Sequence, residues 1–207
     1  MIEPPFGILL AGGLARRMGG GDKGLQEIGG MSILARVVAT MRPQCKGLVL
    51  NANGDATRFA AFGLPIVADD VPDFAGPLAG ILAGLDWIAA THPETTYAVS
   101  IPTDTPFLPP DLVARLMAMR FAAAADLACA RSGGGVHPVV GLWPVAIRTA
   151  MRSALVDEGV RKIDRFTGRF AVAYADWPDA PVDPFFNANS PEDIATAEII
   201  LRRRSFP

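Results

Sequence analysis

The chain has 207 residues, 50% of them hydrophobic and 19% charged, which suits one large α/β domain whose core needs no staples. A net charge of −2 and a pI near 5.7 exclude a broad basic field for nucleic acid or an anionic membrane, so small anions must be met by a local pocket. The two cysteines, Cys45 and Cys129, form no metal-ligand or redox spacing and read as buried, reduced thiols.

The first five residues carry an acid and two prolines where a secretory leader would carry basic residues and an apolar run. Residues 6–11 are a short apolar run that stops at Gly12-Gly13, the form of a strand buried on both faces of a parallel sheet. A glycine-rich loop follows over 12–24. Residues 32–41 then read as a helix with Ile33, Val37 and Val38 on one side and Pro43 beyond its end. A second strand, 47–50, ends at Asn51; a short helix over 56–62 leads to a third strand, 65–68, which ends at Asp69. Residues 77–90 place Leu78, Ile81, Leu82, Leu85 and Ile88 at helical spacing. This run is the longest apolar stretch, but Gly80, Gly84 and Asp86 break it, and it is too short to span a bilayer. The expectation is therefore a cytoplasmic protein. A fourth strand, 97–101, ends at Thr103-Asp104, and a helix over 110–120 and a strand over 126–130 follow. Beyond them, 139–143 reads as a strand, 145–156 as a helix and 170–175 as a strand, with Ser132 to Gly135 a short featureless loop. Ser190, Pro191 and Asp193 form an N-cap, a first helical position and a reciprocal capping acid for a last helix, which ends in Arg202-Arg203-Arg204. This alternation predicts a single three-layer α/β/α domain with a mostly parallel, Rossmann-like sheet.

Ligands of open α/β sheets bind beyond the carboxyl ends of the strands, and here those ends present Gly12-Gly13, Asn51, Asp69 and Asp104. The loop glycines let backbone N–H groups approach phosphate oxygens, and Arg16, Arg17 and Lys23 add positive charge. The loop contains neither Gly-Lys-Ser/Thr nor the dinucleotide G-x-G-x-x-G. Asp104 reads either as a turn cap or as a metal ligand, since Mg²⁺ is often held by one carboxylate plus substrate phosphates. His137 is either a buried structural histidine or a functional one, and His92 falls in a polar loop with no evident role. Arg161-Lys162 reads as a solvated pair, with a phosphate site as the alternative. No Ser-His-Asp or Cys-His arrangement is evident.

The combination Leu10-Ala11-Gly12-Gly13, Arg17-Met18-Gly19-Gly20 and Asp22-Lys23-Gly24 resembles the signature loop of the bacterial molybdenum cofactor guanylyltransferases. Further matches follow in order: Asn51-Ala52-Asn53, Asp69, Gly76-Pro77-Leu78-Ala79-Gly80, Asp104-Thr105-Pro106, His137-Pro138 and Asn187-Ala188-Asn189-Ser190-Pro191-Glu192. The resemblance covers nearly the whole chain. It implies a nucleotide-diphospho-sugar transferase type of domain over 1–207, with a nucleotide-binding part near 6–130 and a pterin-substrate part near 131–207. It implies that Leu10, Ala11 and Gly12 contact GTP through their backbone, that Lys23 and Arg17 meet its phosphates, and that Asn51 and Asp69 recognise guanosine. Asp104 would hold Mg²⁺. Asn187 and Asn189 would lie near the pterin, or else serve only as local caps before Ser190. The implied substrates are GTP and molybdenum-molybdopterin, the implied partners molybdenum-insertion proteins and molybdoenzyme chaperones, and the implied state a monomer without nucleic acid or membrane. A cytidylyl- or sugar-phosphate nucleotidyltransferase, or a carrier that performs no chemistry, remain the competing readings.

Overall fold

The computed structural model describes residues 3–11, 22–71 and 76–205, so the expected contacts of Gly12 and Arg17 lie outside the described residues. The chain opens with β1 (Phe6–Leu10), five buried residues in succession. A small hairpin of β2 (Glu27–Ile28) and β3 (Met31–Ser32) precedes α1 (Ile33–Met41), whose N-cap Ser32 accepts from the Ala35 N–H. There follow β4 (Gly47–Asn51), a 3-10 helix (Ala56–Phe62), β5 (Ile66–Val67), α2 (Pro77–Thr91), β6 (Tyr97–Pro102) and α3 (Leu112–Ala122). The remainder is β7 (Leu127–Ser132), β8 (Gly135–Pro144), α4 (Arg148–Val156), α5 (Ile163–Thr167), β9 (Val172–Trp177) and α6 (Pro191–Ser205).

Seven of the described strands form one sheet in the order β5-β4-β1-β6-β8-β7-β9. All neighbours are parallel except β8, which runs antiparallel to both β6 and β7. Side chains alternate across this sheet and divide the interior in two. Leu9, Leu48, Leu50, Val99 and Ile101 face α1, α3 and α6. Phe6, Ile8, Leu10, Val49 and Ala98 face α2, α4 and α5. This is the three-layer arrangement that the strand–helix alternation predicts.

Ser132 to Gly135 is not a featureless loop. Gly133 and Gly134 have φ of +54° and +77°, and they form the turn between β7 and β8. This hairpin extends the expected strand at 139–143 back to Gly135 and reverses its direction. The expected helix at 145–156 divides into a 3-10 turn, Val145–Ile147, and α4; the strand expected at 170–175 lies two residues later, as β9. His92, which the sequence left without a role, caps α2 and packs its ring 4.5 Å from Phe6 and 5.5 Å from Trp87. At α6, Ser190 Oγ accepts from the Asp193 N–H while Asp193 Oδ2 accepts from Ser190 N and Asn189 N, the reciprocal cap expected. No described helix is long and apolar enough to cross a membrane.

Candidate active site

The carboxyl ends of β5, β4, β1 and β6 stand in that order along one edge of the sheet. Because β8 runs the other way, it brings its early residues, including His137, to the same edge. A cavity of about 1330 Å³ opens there, lined among others by Leu10, Ala11, Lys23, Asn51, Asp69, Asp104, His137, Asn187 and Asn189. Every expected site residue within the described part of the chain therefore borders one space.

At the β5–β4 end, the Asp69 carboxylate is held on both oxygens. Asn51 Nδ2 donates to Oδ1 at 2.8 Å and Asn53 Nδ2 donates to Oδ2 at 2.8 Å. Asn53 Oδ1 in turn accepts from the Asp69 N–H at 2.9 Å, and Asn51 Nδ2 also reaches the Val67 carbonyl. Each carboxylate oxygen keeps a lone pair for a ligand, so the clamped group is a preset fork of two acceptors. Asn53 stood only as part of a motif; its role in orienting Asp69 comes from a contact 16 residues away. Arg58 is a further cavity residue that the sequence did not single out. It pairs with Asp22 at 2.6 Å and donates to the Asn53 carbonyl at 2.6 Å, tying the base of the glycine-rich loop to the Asn53 turn.

Between β1 and β6 the backbone is closely engaged. The Ala11 N–H bonds to the Asn51 carbonyl at 2.9 Å, and the Leu10 carbonyl accepts from both the N–H and the hydroxyl of Thr103. The Ala11 N–H is therefore already engaged within the protein, while Ala11 itself borders the cavity. Asp104 is half-buried, takes no side-chain hydrogen bond from another described residue, and is held above the ordinary carboxylate range by burial, which the Lys23 charge opposes. Lys23 Nζ donates to Asn189 Oδ1 at 2.6 Å, and the Asp104 carbonyl accepts from the Ala188 N–H at 2.9 Å. The segment carrying Asn187 and Asn189 is thus tied to the loop lysine and to the end of β6, although 166 residues separate Lys23 from Asn189.

At the β8 end, a serine, a histidine and an aspartate meet after all. Ser132 Oγ lies 2.7 Å from His137 Nε2 and donates to Asp183 Oδ1 at 2.7 Å. An activated serine gives its proton to a histidine whose far nitrogen is held by the carboxylate. Here the carboxylate takes the serine proton itself, and Ser132 is only 4% exposed, so this arrangement builds no nucleophile. A second hollow of about 790 Å³ shares Pro77, Val136 and Pro138 with the main cavity and is lined by Arg161 and Lys162. Arg161 Nη1 donates to the Leu155 carbonyl at 2.7 Å, so it closes the end of α4 as well as bordering that hollow.

No group of three or more His, Cys, Asp or Glu residues gathers among the described residues. A divalent cation at Asp104 would need phosphate oxygens to complete its shell, and a half-buried carboxylate that borders the cavity and takes no hydrogen bond from another described residue suits that role.

The chain is 61% identical over 192 residues to a molybdenum cofactor guanylyltransferase of Bradyrhizobium sp. (strain ORS 278), covering 93% of this chain and 91% of that one. It is 57% identical to the protein of the same name from Rhodopseudomonas palustris (strain BisB5), covering 96% and 94%. The crystal structure of molybdopterin-guanine dinucleotide biosynthesis protein A from Archaeoglobus fulgidus superposes with a TM-score of 0.75 at 22% identity, over 96% of this chain and 99% of that one. The pattern of the MobA-like NTP transferase domain matches residues 7–174, and with most of its length so matched the chain belongs to that family of nucleotidyltransferases.

Proposed function

We propose that the protein transfers GMP from GTP to the terminal phosphate of molybdenum-molybdopterin, forming the guanine dinucleotide of the molybdenum cofactor and releasing pyrophosphate. The observation that carries this reading is the order of groups along the cavity: the clamped Asp69 fork at the β5–β4 end, Asp104 at the end of β6 with Lys23 and the Asn187–Asn189 segment tied beside it, and His137 on β8. A purine with an N–H edge fits the fork, since Asp69 offers two acceptors side by side. Phosphates then fall at the lysine, and the acceptor at the asparagines. The names carried by relatives at 57–61% identity support the same substrates.

In the step itself, an oxygen of the acceptor phosphate attacks the α-phosphorus of GTP. The new P–O bond forms as the bond to the bridging oxygen of the β-phosphate breaks, and pyrophosphate departs. Two anions must meet: unit charges 4 Å apart at an effective dielectric of 20 repel by roughly 4 kcal/mol. Uncompensated, that repulsion would slow the reaction about a thousandfold. Lys23 offsets it from the donor side, and Asn189, released from Lys23 when phosphates arrive, offers its amide to the acceptor. Mg²⁺ held by Asp104 would supply further neutralisation of phosphate charge. The protein contributes position and field, with no covalent intermediate. Arg17 is assigned to the phosphates and Gly12 to the nucleotide on the motif alone. Molybdenum-insertion proteins and molybdoenzyme chaperones are the partners this chemistry implies, in the cytoplasm.

Calorimetric titration with GTP, CTP and ATP, each with and without Mg²⁺, tests the reading. It expects Mg²⁺-dependent binding with GTP preferred, followed by GMP transfer to molybdopterin. Preference for CTP would move the protein to the cytidylyl branch, and binding without transfer would leave a carrier.

A further inference from the structure

His137 sits half-buried in the cavity wall with its ring held on two sides. Its Nε2 faces Ser132 Oγ at 2.7 Å, and Phe185 packs behind it with ring centroids 4.8 Å apart. The direction of the hydrogen bonds follows from counting protons. A serine hydroxyl has one, and Ser132 gives it to the Asp183 carboxylate, which also accepts from the Phe185 N–H at 2.9 Å. The serine oxygen must then accept from His137, so the imidazole carries its hydrogen on Nε2. Burial lowers the His137 pKa, with Asp183 pulling weakly the other way, and the neutral ring has a bare lone pair on Nδ1. No described residue satisfies that nitrogen. Its neighbours Val136, Pro138 and Val139 along β8, and Phe185 against its ring, are apolar residues of the same cavity lining.

We propose that His137 is a contact residue for the acceptor, its Nδ1 accepting a hydrogen bond from a ring N–H of the pterin. The proposal rests on the functional reading above. A flat heterocycle with an N–H edge matches a single fixed acceptor set among apolar neighbours, just as the fork at Asp69 matches the base of the nucleotide. His137 lies at β8 and the fork at β5 and β4, with β1 and β6 between, so the two ring sites are separate. Ser132 and Asp183 are positioning residues. They fix the tautomer, and through the Phe185 N–H they anchor the chain that leads to Asn187 and Asn189.

Two substitutions divide the ring's two nitrogens. His137→Gln keeps a donor where Nε2 stood and removes the acceptor at Nδ1. His137→Asn keeps an acceptor near Nδ1 and loses the link to Ser132. His137→Gln should leave the KM for GTP unchanged and raise the KM for molybdopterin about tenfold, the effect of one hydrogen bond. His137→Asn should recover most of that loss. An active His137→Gln enzyme with the parent's KM for molybdopterin would show that the ring serves only to hold Ser132. The parent protein gives an independent reading, because the chain has only two histidines. With ¹⁵N-labelled histidine, one ring should show an Nε2–H tautomer whose Nδ1 signal moves when molybdopterin is added, while His92 stays still. An Nδ1–H tautomer, or an unmoved signal under saturating molybdopterin, overturns the proposal. If the parent binds GTP but never transfers GMP, the functional reading fails instead, which is a distinct result.

Discussion

At the scale of single residues, the site depends on how its two carboxylates are treated. Asp69 is clamped by the amides of Asn51 and Asn53, and removing one amide lets the carboxylate turn out of register with a base. Asn53→Ala should weaken GTP binding about tenfold while leaving ATP binding nearly unchanged, as measured by calorimetry. Equal losses for both nucleotides would show that Asn53 supports the loop rather than base recognition. Asp104 is the opposite case, a carboxylate that takes no hydrogen bond from another described residue and is held above its ordinary pKa by burial. A raised folded-state pKa means protonation favours folding: that stabilisation is complete below the unfolded pKa and is lost as pH rises through the folded one. Above the folded-state pKa the ionised group therefore strains the nucleotide-free protein. Asp104→Asn should unfold at a higher temperature than the parent without nucleotide, the gain shrinking on acidification, and it should lose GMP transfer. A lower midpoint above the folded-state pKa would contradict the strain. Asn51, Asp69 and Asp104 were readable in the sequence because strand ends announce themselves by apolar runs that stop. Arg58, Ser132 and Asp183 were not, since their partners lie far along the chain and their own surroundings carry no local signal.

At the scale of elements, α2 packs closely on the sheet because glycines face it. A Cβ at Gly80 would overlap the side-chain carbonyl of Asn51, and one at Gly84 would lie 2.6 Å from a methyl carbon of Ile8. The two positions, one helical turn apart, should respond differently to alanine. Gly80→Ala should displace the Asn51 amide and reduce GTP affinity. Gly84→Ala overpacks a buried isoleucine and should cost about 1–3 kcal/mol of stability in a denaturant titration, with the order of nucleotide preference kept. Loss of preference in Gly84→Ala alone would reverse this assignment. Periodicity placed α1, α2 and α3 to within two residues, and the apolar runs placed β1, β4 and β6. It could not show the reversal of β8, because a two-glycine hairpin and a plain loop look alike until the strand's partners are known. The five-residue α5 is too short for a periodic pattern to declare it.

For the whole molecule, ligand binding should register as stability. GTP with Mg²⁺ at about a hundred times its Kd adds about 2.7 kcal/mol to the folded state. For a chain of 207 residues that corresponds to a rise of about 5–10 °C in the unfolding midpoint. CTP should give less, and the Asp104→Asn variant should respond little to added Mg²⁺. An equal rise with all three nucleotides would indicate a phosphate site without base selection. The sheet and its two covered faces were evident from alternation alone, since each strand–helix unit must bury one side. The order of its strands was not, because the place of β8 between β6 and β7 depends on long-range packing.

Neither native thiol is fully exposed: Cys129 is buried and Cys45 half-buried. Cys129 is buried within β7, and Cys45 lies close against Gly7; burial pushes each pKa up to about 12. Since the thiolate is the reactive form, maleimide reagents near neutral pH should pass the chain by, leaving its mass unchanged. The protein thus comes ready for site-selective labelling without prior removal of its own cysteines. A fluorophore on Glu192→Cys, at the start of α6 and three residues from Asn189, would test whether added nucleotide breaks the bond between Lys23 and that asparagine.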